Sequence, residues 1–166
     1  MLDQRFLSIY LNDHLAGSVT GIELARRTLS NNRGTRYSEF LEWLVKQIEE
    51  DRQSLIRLME RLGIRRDPLK QAGAWSLEKV GRLKMNGRLL GYSPLSRLVE
   101  IEGLWMGVNG KLSIWRALVA VADLDARLDP IWLMELEGRA EEQLRRLDEH
   151  RALAAREALA GLPPTS

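Results

Sequence analysis

The stretch YSEFLEWLVKQIEEDRQSLIRLMERLG, residues 37–63, decides the fold class. Phe40, Leu44, Ile48, Leu55, Leu58 and Leu62 fall on one stripe with Asp51 among them, and charged side chains fill the rest of each turn. A period near 3.6 residues puts positions i, i+4 and i+7 on one face. The pattern predicts a helix from about Tyr37 to Leu62, and Gly63 stands where a left-handed residue would close it.

The same rhythm continues on both sides. Upstream, Asp3 is placed as an N-cap for a helix reaching about Leu29, with Leu7, Leu11, His14/Leu15, Ser18, Ile22, Ala25 and Leu29 on its stripe. Ser30 to Thr35 is the turn that makes the two helices a hairpin. Downstream, Asp67-Pro68 starts a third helix to about Lys84, because proline is favoured at the first helical position. Ser93-Pro94 repeats the device and opens a helix to about Ala126, with a bend or a close approach expected at Gly103, Gly107 and Gly110. Asp129-Pro130 opens the last helix, with Leu133, Leu136, Ala140, Leu144, Leu147, Arg151 and Ala154 on its stripe and an end near Gly161.

Leu, Ala, Arg and Glu dominate, and period-two runs of β-branched or aromatic residues are missing. The expected fold is all-α: two hairpins joined by a helical crossover connector in an up-down four-helix bundle. Residues 1–162 are read as one domain and 163–166 as a frayed tail.

The absence of cysteine excludes disulfides, thiolate zinc sites and cysteine nucleophiles. No apolar run approaches the ~20 residues that span a bilayer, and no basic-then-apolar leader opens the sequence. A cytoplasmic protein without membrane insertion is the expectation. Net charge is +2 but uneven, since residues 61–97 hold 9 Lys/Arg against 2 Asp/Glu and residues 98–166 hold 8 against 12. The basic segment suits an anionic partner, or equally the acidic last third of its own chain.

Helices of about 25 residues, a connector after the second of them and glutamates near helix centres give a layout that resembles the ferritin-like superfamily over residues 3–158. Tyr10-Leu11-Asn12-Asp13-His14-Leu15-Ala16-Gly17 and the stretch from Gly81 to Leu89 are similar to uncharacterised bacterial proteins. The resemblance implies the bundle fold and, in the superfamily, a carboxylate-bridged di-metal centre built on E-x-x-H pairs. This chain departs from that motif. His14 and His150 are its two histidines, and Leu11 and Leu147 stand three residues before them. Gln53 follows Glu50 and Arg145 follows Glu142 at the same spacing, so a di-iron centre is not expected.

Polar residues on apolar stripes are the first site candidates: His14 near Ser18, Asp51, and Glu102 between Leu98 and Trp105, with Asn109 two turns on. Buried ionisable groups are costly unless paired, so these residues are expected to form a hydrogen-bonding network that fixes helix register. The alternatives are an acid/base pair, or a single iron, manganese or zinc ion on His14, Asp51 and Glu102 that would make the protein an atypical metal-dependent oxidoreductase or hydrolase. The second candidate is Trp75, Lys79, Arg82, Lys84, Asn86, Arg88, Tyr92 and Arg97, where bases interleave with aromatics. Such a segment suits nucleic acid or another anion through phosphate contact and stacking.

Tryptophans stand at 43, 75, 105, 115 and 132, with Trp43 and Trp115 placed beside their stripes. Aromatics at stripe edges and a glycine-rich run that allows close approach favour a homodimer. The expected function is that of a non-catalytic binding or structural module with no cofactor, and the small-molecule ligand is not named by the sequence.

Overall fold

In the computed structural model the described residues are 2–68 and 91–160. They form four long helices, α1 (Gln4–Asn31), α2 (Ser38–Arg61), α3 (Pro94–Val119) and α4 (Pro130–Leu159), with a short 3-10 turn at Ala122–Leu124. No strand occurs among the described residues. The third predicted helix, beyond its opening Asp67-Pro68, lies outside the described residues, as does the tail from 161.

The local signals act as physical chemistry dictates. Asp3 accepts from the Arg5 and Phe6 N–H groups at 2.9 and 3.1 Å, and Asp129 from Ile131 and Trp132 at 3.0 and 3.2 Å. Ser93 forms a capping box with Ser96, followed by Pro94 at the helix start. Gly63 takes φ +70°, and Ile64 N–H donates to the Met59 carbonyl at 2.8 Å, a Schellman closure that buries Ile64.

One boundary differs from expectation. The helix opened by Pro94 ends at Val119, not near Ala126. Asp123 and Asp125 would oppose the negative end of its dipole. Asp125 instead accepts from the Arg127 N–H at 3.0 Å and holds the Arg127 guanidinium, which also donates to the Leu62 carbonyl at 2.9 Å. That turn fastens the α3–α4 connection to the end of α2.

Neighbouring helices run antiparallel. Asn12, early in α1, donates to the Arg65 carbonyl and accepts from Asp67 N–H just past α2. Arg27, late in α1, pairs with Glu100, early in α3. Arg97 of α3 pairs with Glu157 at the end of α4, and Arg116 with Glu137 and Glu141 near its start. Phe40 of α2 stacks on His150 of α4 with ring centroids 3.8 Å apart. Pro68 leaves the described chain beside the start of α1, whereas Tyr92 returns beside Asn32 at its end, roughly 30 Å away at 1.5 Å per residue. The core between the helices is built from Leu11, Leu15, Tyr37, Leu41, Leu44, Leu58, Ile101, Leu104 and Trp115, each no more than 2% exposed. Trp115, expected at a stripe edge, is a core residue because the Pro94 helix carries apolar residues around most of its circumference.

Candidate functional site

Helix-interior glycines cost about 0.5–1 kcal/mol each relative to alanine, so a cluster of them needs a physical reason. Gly17 and Gly21 lie one turn apart on α1, and Gly103, Gly107 and Gly110 lie on α3. All five line one cavity of about 510 Å³ between α1, α2 and α3. At Gly103 a Cβ would come within 3.0 Å of the Leu24 side chain, so packing explains that residue, and α3 passes through it as a continuous helix. At Gly17, Gly21, Gly107 and Gly110 a Cβ would meet nothing within 4 Å. No packing contact of the described protein requires glycine there, and the missing side chains leave the space.

The remaining wall is apolar and aromatic: Tyr10 from α1, Ile48 and Leu55 from α2, and Leu104, Val108, Ile114 and Trp115 from α3. Charged groups enter at Asp13, Arg52, Asp51 and Lys111. Asp51 is 2% exposed and is the acceptor at the centre of a cluster that joins three helices. Lys111 of α3 and Arg139 of α4 both form ion pairs with it, one to each carboxylate oxygen. Gln143 of α4 donates to Asp51 Oδ2 at 2.8 Å, and its own carbonyl accepts from Lys111 Nζ. The Asp51 carboxylate is thus satisfied by its three donors, as burial requires, whereas Arg139 Nε has no hydrogen-bond partner among the described residues. Burial pushes the Lys111 ammonium below its ordinary range, against the pull of Asp51 and with a further push from Arg139.

The residues expected from sequence divide between two faces. His14, Ser18 and Asp51 all border the cavity. His14 sits edge-on to Tyr10 with ring centroids 4.6 Å apart, and burial lowers its pKa while Asp13 opposes. The Ser18 hydroxyl donates to the Leu15 carbonyl at 2.6 Å. Glu102 and Asn109 lie on the other side of α3, where Asn109 Nδ2 has no hydrogen-bond partner among the described residues. No hydrogen bond joins His14, Asp51 and Glu102, and no three His, Asp or Glu side chains come together as a metal site among the described residues. Asp51 therefore meets cations and an amide where the sequence suggested His14 and Glu102.

Arg97 of the basic segment is 14% exposed at its side chain and is engaged within the bundle. It donates to Asn32 Oδ1, pairs with Glu157 at 2.7 Å and lies over the Tyr37 ring at 4.7 Å. Around it Tyr92 donates to Glu100 at 3.0 Å and accepts from Asn32 at 2.7 Å, which clamps one end of the bundle. Burial, with help from Glu157, pushes the Tyr37 phenol up to about 12. Lys79, Arg82, Lys84 and Arg88, with Trp75, lie outside the described residues.

Lys111, Arg139 and Gln143 were missed from sequence. Gln143 was detectable, since it stands three and four residues from Ala140 and Leu147 of the α4 stripe. Lys111 was hidden by an α3 that is apolar on several faces and shows no clear stripe. No protein-family model, curated protein or solved structure matches this chain.

Proposed function

We propose that the protein is a ligand-binding helical bundle that takes one small, mostly apolar molecule into the glycine-walled cavity and performs no chemistry on it. One observation carries this: Gly17, Gly21, Gly107 and Gly110 weaken two helices and relieve no contact, and together they open a single cavity. Its volume of about 510 Å³ falls within the roughly 300–1,000 Å³ of small-molecule sites, and its wall has their usual character of apolar surface with few polar groups. Titrating the protein with the neutral dye N-phenyl-1-naphthylamine tests the reading. Fluorescence that saturates at one dye per chain is expected, and the absence of saturable enhancement would contradict it.

With this goes a ferritin-like bundle without a di-metal centre. Antiparallel neighbours and a connection from one end of α2 to the opposite end of the bundle support it. Such a protein needs no metal, and stoichiometric iron, manganese or zinc in untagged material would argue instead for the metal-dependent alternative. Self-association belongs to the same proposal: Leu95, Val99 and Met106 make an outward apolar row on α3 that suits a second copy. Sedimentation of Met106→Asp should then report a weakened dimer.

A further inference from the structure

We infer that the molecule held in the cavity is an apolar monocarboxylate of the medium-chain acid type, anchored by its carboxylate to Lys111. The inference rests on the cavity reading above and adds the headgroup. An ammonium carries three donors. Two of those on Lys111 reach Asp51 Oδ2 and Gln143 Oε1, and the third has no acceptor among the described residues although Lys111 lines the cavity. Asp51 already accepts from Lys111, Arg139 and Gln143 and divides its single negative charge between two cations.

The charge balance points the same way. Lys111 and Arg139 share one buried carboxylate, so the cluster holds one positive charge in excess. Glu50 approaches Arg139 no closer than 4.0 Å and is 43% exposed at its side chain, so it neutralises the excess only weakly. Asp13 and Arg52, also on the wall, carry opposite charges and leave the balance unchanged. A cation kept from water beside an apolar surface is stabilised by an anion that brings its own hydrocarbon. One open donor and one excess charge match a single carboxylate, and a phosphate dianion would exceed both.

Calorimetric titration of the full chain with decanoate, 1-decanol and decylamine, each below its micelle concentration, tests this. Decanoate is expected to bind at one per chain and at least about tenfold more tightly than decanol, with decylamine weakest. Lys111→Met should bring decanoate down to decanol, and Lys111→Arg should keep the preference. Equal saturable binding of decanoate and decanol to the unaltered protein would overturn the carboxylate anchor and leave the cavity reading standing. Failure of all three compounds to bind would remove the cavity reading as well. Because the comparison on the unaltered chain decides by itself, a Lys111→Met protein that did not fold would not obscure the outcome.

Discussion

Asp51 is the residue on which most of the interior electrostatics turns. Removing one partner of a buried ion pair leaves the other charge without compensation, at a cost of about 3–5 kcal/mol. Asp51→Ala should lose that much stability in urea unfolding, since the Lys111 ammonium would stay in the core without its carboxylate. Arg26→Ala, which breaks a pair whose side chains are 58% and 40% exposed, should change stability by less than about 1 kcal/mol. The histidines make a second prediction. Burial holds both below the ordinary 6.5, and His150 is fixed between the Phe40 ring and the Arg146 carbonyl. Below pH 6.5 the unfolded chain takes up protons that the folded chain refuses. Stability is therefore full above that pH and declines as pH falls through the window beneath it. Unfolding free energies measured across pH should show the decline, and His150→Gln should flatten it; a profile unchanged by the substitution would refute the assignment.

At the scale of elements, caps and glycines carry opposite signs. Gly107 sits in a helix with space around it and φ in the ordinary range, so Gly107→Ala should stabilise by about 0.5–1 kcal/mol. Gly63 holds φ +70° in a Schellman closure, so Gly63→Ala should destabilise by about 1–2 kcal/mol. Thermal melts of the pair check both signs. These elements were largely legible in the sequence, because Asp3, Ser93-Pro94, Asp129-Pro130 and Gly63 act through local rules that need no tertiary knowledge. The end of α3 was less so: the residues after Val119 retain helix propensity, and the Asp125–Arg127 contacts and the tie to Leu62 end the helix there. The cavity was half legible. Gly103, Gly107 and Gly110 were conspicuous as helix weaknesses, whereas Gly17 and Gly21 went unremarked, and only the face-to-face placement of α1 and α3 turns them all into a wall.

For the whole molecule, the pairing of charges across helices was beyond reach of any single stripe. His14 and Asp51 share the cavity because α1 and α2 both border it, whereas Glu102 is carried to the opposite side of α3 by helical rotation alone. Asp51 was recognised as exceptional on its stripe, but its partners come from positions 60 to 92 residues away. The end clamp of Asn32, Tyr92, Arg97, Glu100 and Glu157 likewise joins α1, α3 and α4 across long separations. Among the described residues no helix is long and apolar enough to cross a membrane.

If the glycines exist to leave room for a bound molecule, filling that room should abolish binding without unfolding the bundle. A Gly21→Leu/Gly107→Leu protein should melt no lower than the unaltered chain, since two helix-interior glycines are gone, while saturable binding of N-phenyl-1-naphthylamine disappears. A folded double variant that binds the dye as the unaltered chain does would contradict the account, because the dye would then sit elsewhere and the glycines would need another explanation.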